Sequence, residues 1–222
     1  VSLKRVVESP KVRPYFGSAL ALLAALLFAA AAFWDRPLTA SMSLHMLVHI
    51  PLLVLSGITL QLALRYQGVG RSAAMQALLR PYYALNEYGL PGLIMVSFAA
   101  AYWMVPKALD DVLVSPPMAT AKYIGLVLMG MLFMESWRRA HLVFRLFFFG
   151  NFSWMMAIVG LLYYDNPVRL CNFYLQSDQE IAGIGLVIMA CVLPLLWLPL
   201  LWQQRRLALA LATLLRTGVV VL

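Results

Sequence analysis

Six long stretches of this chain are almost free of charged side chains, and that feature decides what it can fold into. They run from about Phe16 to Trp34, Met42 to Leu64, Tyr88 to Val105, Ala119 to Met134, His141 to Tyr163 and Ile181 to Trp202. A helix crossing the roughly 30 Å hydrocarbon layer of a bilayer needs about 20 apolar residues. The balance of the whole chain agrees: 63% of its residues are hydrophobic and only 12% are charged. A soluble domain carries roughly 45–50% apolar and about 25% charged residues. Such an excess cannot be hidden in one water-soluble core. A cytosolic enzyme, a secreted disulfide scaffold and a disordered chain are excluded. The sequence predicts an all-α, polytopic transmembrane helix bundle with six spanning helices, a single integral-membrane domain over residues 1–222. The segment from Leu207 to Leu222 is apolar but short and carries Arg216. It could form a short seventh span or lie in the interface, and the two alternatives stay open.

The connections fit six spans. Asp35-Arg36-Pro37, Gln67-Gly68-Val69-Gly70, Pro106, Ser115-Pro116-Pro117 and Asp165-Asn166-Pro167 each join helix breakers to polar residues, as turns require. Trp34, Tyr82, Tyr83, Trp103, Trp137, Tyr163, Tyr164 and Trp202 lie near span ends, where amphipathic rings favour the headgroup level. The formal charge of +8 is unevenly placed. Lys4, Arg5, Lys11, Arg13, Arg65, Arg71, Arg80, Arg138, Arg139, Arg205 and Arg206 fall on one side. Arg36, Lys107 and Arg169 fall on the other, beside Asp35, Asp110, Asp111, Asp165, Asp178 and Glu180. The positive-inside rule then predicts a cytoplasmic N-terminus. The first span is longer than the h-region of a signal peptide and reads as an uncleaved signal anchor. No aromatic-interleaved basic run suggests nucleic acid as a partner. Cys171 in a loop and Cys191 in an apolar segment do not form a disulfide framework.

Ionisable residues inside a span are functional candidates, because burying them is costly. The second span opens with Met42-Ser-Leu-His45-Met46-Leu-Val-His49-Ile-Pro51. At about 100° per residue, Met42, His45, Met46 and His49 share one helix face. Two imidazoles four residues apart can approach one ion, and thioether sulfur suits a soft metal such as Cu(I). A hydrogen-bonded structural pair is the equal alternative. Pro51 leaves the carbonyl of Leu47 free beside this face. His141 falls at the opposite end of the bundle, which disfavours a b-type haem held between it and the pair. It reads as an interfacial side chain near phospholipid or Glu135. Asn86, Glu87, Lys122, Tyr123 and Glu135 are weaker candidates for a proton path or partner contact. Gly89, Gly92, Gly125 and Gly130 suit close helix packing. There is no phosphate loop, nucleotide fingerprint, Cys-x-x-Cys or catalytic triad, so the chain is not read as an enzyme.

The segment from His45 to Gly57 resembles the His-Met-x-x-His motif and leucine-rich stretch of the CtaG family of cytochrome oxidase assembly factors. Asp178-Gln-Glu-Ile-Ala-Gly183 is similar to that family's Asp-Gln-x-x-Ala-Gly, and Trp103-Met-Val-Pro106 to its Trp-His-x-Pro. The three motifs in order cover roughly residues 40–190. Met104 stands where the family has histidine, and Ala119, Lys122 and Tyr123 stand where it has a second histidine set. The resemblance implies a multi-pass protein of a bacterial or archaeal cytoplasmic membrane. It implies an outward copper site at His45 and His49, with Met42, Met46 and Met104 as soft ligands. Two functions compete. One is handling copper for a respiratory or oxidative metalloenzyme. The other is an accessory subunit, held among other membrane subunits of an oxidoreductase, whose metal site has degenerated. A b-haem electron carrier ranks last, since only Met104 could supply a second axial ligand.

Overall fold

The computed structural model describes residues 13–68 and 73–216. Every regular element among them is helical. In chain order these are α1 (Arg13–Phe33), α2 (Asp35–Thr39), α3 (Met42–Leu44), a π-helical turn (His45–His49) and α4 (Ile50–Gln67). There follow α5 (Ala73–Leu85), α6 (Leu90–Trp103), α7 (Pro106–Val114), α8 (Pro116–Arg139), α9 (Leu142–Asp165) and α10 (Gln176–Arg216).

Five segments are long and apolar enough to cross a membrane: Arg13–Phe33, Met42–Gln67, Pro116–Arg139, Leu142–Asp165 and Gln176–Trp197. The protein is an all-α membrane bundle. The third expected span differs from a simple helix. It is a bent pair, α6 and α7, with 71° between the two arms. Pro106 explains the bend. It has no N–H to donate, and it forces Val105 out of the helical region, to φ −78° and ψ 131°. Pro106 then opens α7 instead of beginning a loop. Pro116 and Pro117 likewise open α8, where the first turn needs no donors. The fourth span is correspondingly longer than its apolar core suggests.

Two more departures concern short or terminal segments. α5 falls within the expected second loop. Its 13 residues are too few to span a bilayer. The segment from Leu207 is not a separate helix as far as Arg216, because α10 runs unbroken through it. Residues 217–222 lie outside the described residues, as do Lys4, Arg5, Lys11, Val69, Gly70 and Arg71.

The helices sort into two packed groups. α1, α4 and α8 stack side by side with α6 against α8, and α9 pairs with α10. α10 joins the groups by packing on α3 and the π turn. Close approach of backbones is what permits these crossings. A Cβ on Gly57 would strike the carbonyl of Val127, and one on Gly130 the carbonyl of Val54. Gly160 and Gly183 face each other the same way: a Cβ on either would lie 2.7 or 2.6 Å from the other's carbonyl oxygen. Without a hydrophobic drive between helices in lipid, such small-residue contacts supply the packing. Gly130 behaves as expected. Gly125 is looser, with only ordinary contact to Trp103 at 3.8 Å.

Charge divides the bundle end from end. Arg13 Nη2 donates to the Arg65 carbonyl at 3.2 Å, at the end that also carries Arg138 and Arg139. Asp35 and Lys122 meet at the other end. Gly183→Ala should lower the thermal stability of the detergent-solubilised protein by about 1–3 kcal/mol through backbone clash. Gly125→Ala should leave it unchanged or raise it slightly, since alanine is the better helix former.

Candidate functional site

Pro51 shapes the local backbone at the head of α4. It cannot donate to the Leu47 carbonyl and its ring crowds that oxygen. The turn before it opens, and the Ile50 N–H reaches the His45 carbonyl in a π-type bond. π turns of this kind recur at functional sites. Here the wider turn sets the two imidazole rings 5.5 Å apart, inclined by 42°. Both histidines are fully buried.

The two rings point one nitrogen each at the same atom. Lys122 Nζ lies 3.4 Å from His45 Nε2 and 3.3 Å from His49 Nδ1. Its third neighbour is Asp35 Oδ1 at 3.5 Å. An ammonium has three donors and no acceptor, and here it meets three acceptors. Lys122 is itself buried, at 1% exposure, whereas Asp35 is 41% exposed at the mouth of the cluster. The remaining ring nitrogens are held from behind. His49 Nε2 lies 3.1 Å from the Ala31 carbonyl, which can only accept, so the proton of His49 sits on Nε2. His45 Nδ1 lies 2.8 Å from the Tyr174 hydroxyl. With Nε2 accepting from the ammonium, Nδ1 carries the His45 proton and donates it to Tyr174. These tautomers follow from the partners. Tyr123 completes the group by donating to Asp35 Oδ1 at 2.7 Å, with His49 Nε2 3.3 Å from its hydroxyl.

Tyr174 arrives here because the segment between α9 and α10 is tied down. Asp110 Oδ2 accepts from the Asn172 backbone N–H at 2.8 Å and from its Nδ2 at 2.9 Å. Gln179 accepts from the Leu170 N–H at 2.8 Å and donates to the Tyr163 carbonyl at 3.1 Å. Asp178 accepts from the Met42 N–H and from Ser43 Oγ, the latter at 2.6 Å, and so caps α3 from another helix. A carboxylate at a helix start satisfies orphan donors and the dipole together. The Asp178–Gly183 motif therefore has a structural task at four of its six positions: a cap, a clamp, the fully buried Ala182 and the close-approach Gly183.

The methionines lie elsewhere in the arrangement. Met42, Met46 and Met104 belong to an apolar cluster with Leu109, Tyr163, Cys171 and Leu186. The Met104 carbonyl accepts from the Tyr163 hydroxyl at 2.5 Å. His141 caps α9, its Nδ1 accepting from the Val143 N–H at 3.4 Å. Glu135 instead pairs with Arg139 and accepts from Gln61 at 3.0 Å. Asn86 is buried and bridges Ser136 and Gly92. Both cysteines are free.

No protein-family model, no curated protein and no solved structure matches this chain. The fit to a metal is therefore judged on the donor set alone. The imidazole pair converges as a metal-binding pair would, but the point of convergence is taken by the Lys122 ammonium. Among the described residues, no three His, Cys, Asp or Glu side chains gather as a metal site. The donor set as arranged does not fit a copper ion. Nor does either imidazole turn a spare nitrogen to a haem iron. The sequence brings out His45, His49, Lys122 and Tyr123, while Asp35 and Tyr174 are the partners it leaves unmarked. The signal for Asp35 is Lys122 itself, because an uncompensated lysine within a span is costly. An acid at the same depth is then required on a neighbouring helix end.

Lys122→Met should destabilise the protein by about 1–3 kcal/mol, because two buried imidazole nitrogens lose their donor while the half-exposed Asp35 can turn to water. Tyr174→Phe should cost about 1–3 kcal/mol by stranding His45 Nδ1. Denaturation in detergent reads both. Burial, followed by the neighbouring Asp110 charge, pushes the Cys171 thiol up to about 12 from its ordinary 9.0. The unfolded chain therefore sheds a thiol proton above pH 9 that the folded chain keeps, and stability falls as pH rises from 9 towards 12. At pH 8, a maleimide should label Cys171 only after unfolding.

Proposed function

We propose that this protein is a non-catalytic accessory subunit of a larger membrane oxidoreductase. On this reading it is built on a CtaG-like scaffold whose metal point is filled by a lysine. The observation that carries the reading is Lys122 Nζ between His45 Nε2 and His49 Nδ1, at 3.4 and 3.3 Å. In the resemblance, Lys122 and Tyr123 stand where a second histidine set is expected. A fixed ammonium there supplies the positive charge that a metal would bring. The polar cluster is then complete without any ion, and it locks α1, α4, α8 and the segment before α10 together. The motifs that suggested copper transfer do structural work: Asp178 caps, Gln179 clamps, and Pro106 bends a span. In this reading the chain lies in a bacterial or archaeal cytoplasmic membrane. Its arginine-rich end is cytoplasmic by the positive-inside rule, and Asp35 faces outward.

The competing reading is copper handling at His45 and His49, with Met42, Met46 and Met104 nearby. It requires Lys122 to leave the point between the rings. Metal analysis after exposure to Cu(I) separates the two. The accessory reading expects essentially no copper on the native protein. It expects about one Cu(I) per chain on Lys122→Ala, lost again when His45→Ala and His49→Ala are added, because two free imidazoles then face one vacated point. It also expects other membrane subunits to co-purify in constant ratio after mild solubilisation. About one copper on the native chain, lost in the double histidine variant, would overturn it in favour of copper handling.

A further inference from the structure

The end of the bundle away from Lys122 holds a cavity of about 840 Å³ between α4, α5, α6 and α8. Three arginines line it, Arg13, Arg65 and Arg139, against a single carboxylate, Glu135. That carboxylate is already answered: Arg139 Nη2 and Nε donate to Glu135 Oε1 at 2.6 and 2.9 Å, and Gln61 donates to Oε2 at 3.0 Å. Arg139 is further held over the Tyr83 ring, 4.5 Å from its centroid. Among the described residues, neither Arg13 nor Arg65 forms an ion pair. Among the described residues the cavity lining therefore carries an excess of positive charge, with Arg13 donating to the Arg65 carbonyl and Glu135, held by Arg139, as its one acid.

The remaining lining is mostly apolar and extends along α8. Leu128, Met131 and Leu132 of α8 continue the wall below Glu135. From Arg139 to Leu128 is about 16 Å along a helix at 1.5 Å per residue. A site with cations at the headgroup level and a greasy wall reaching towards the bilayer centre matches one molecule with both characters.

We infer that this cavity binds an anionic phospholipid, its phosphate on Arg13 and Arg65 and an acyl chain along Leu128 and Leu132. Guanidinium groups are suited to phosphate because their paired donors match its oxygens. A free phosphate would satisfy the arginines and leave the apolar depth empty. A zwitterionic lipid would bring a second positive charge to a site that already has an excess. The inference is independent of the Lys122 cluster and stands whichever reading of that cluster holds.

Native mass spectrometry of the detergent-purified full chain tests it, with phosphatidylglycerol, phosphatidylcholine and inorganic phosphate added separately. The expected result is one phosphatidylglycerol per chain, bound at least about tenfold more tightly than phosphatidylcholine, a gap of about 1.4 kcal/mol, with no adduct from phosphate. Arg13→Gln/Arg65→Gln should abolish the preference. Arg80→Gln, exposed and outside the cavity lining, should keep it. Leu132→Trp, which fills the apolar depth and spares the arginines, should lose the lipid while retaining native helicity and melting. It keeps the test decisive if the double arginine variant does not fold. Equal retention of both lipids, a phosphate adduct of equal strength, or undiminished lipid binding in Leu132→Trp would overturn the inference.

Discussion

A lysine ammonium inside an apolar bundle must be met by partners from neighbouring helices, and Lys122 organises one end of this protein on that condition. Its three donors reach the Asp35 carboxylate at the start of α2 and two imidazoles of the π turn before α4. Each partner is positioned in turn: His49 by the Ala31 carbonyl, His45 by Tyr174, Asp35 by Tyr123. A polar network in a medium of low dielectric stabilises when every member is satisfied and is costly when one is not. The cluster therefore ties together elements that small-residue packing alone would leave free to slide.

The rest of the fold serves the same end. Pro51 opens the π turn that brings the imidazoles to a common point. Asp178 reaches across from α10 to cap the short α3 that precedes it. The glycine pairs at α4–α8 and α9–α10 let backbones approach closely enough for side chains six residues into α8 to meet those at the head of α4. At the opposite end the polar contacts are of another kind. Arginines outnumber acids around an open cavity, and the one acid is neutralised within its own helix.

Much of this was legible in the sequence, because membrane helices announce themselves by length and apolarity. Five spans fall within a few residues of their expected bounds. The misread parts are those whose signal is local and short. α5 is below spanning length, and α7 looks like a loop because Pro106 marks both a stop and a start. At the site, the histidine pair and Lys122 could be named, since polar groups within spans stand out. Their conjunction could not, because it depends on the crossing of α4 and α8. A helical face shared with two histidines is compatible with a ligand set, yet Met42 and Met46 pack into an apolar cluster beside Leu109 and Cys171. Tyr174 lay in a polar connection with no periodicity to point it inward.

The Lys122-centred arrangement assigns a different tautomer to each histidine, and that difference is directly observable. Solid-state ¹⁵N NMR of imidazole-labelled protein in bilayers would report the protonation of all four ring nitrogens of His45 and His49. An ammonium held between the rings requires a neutral His45 protonated at Nδ1 and a neutral His49 protonated at Nε2, each with its Lys122-facing nitrogen unprotonated and accepting a hydrogen bond. Doubly protonated rings, or a His45 protonated at Nε2, would contradict it and remove Lys122 from the centre of the site.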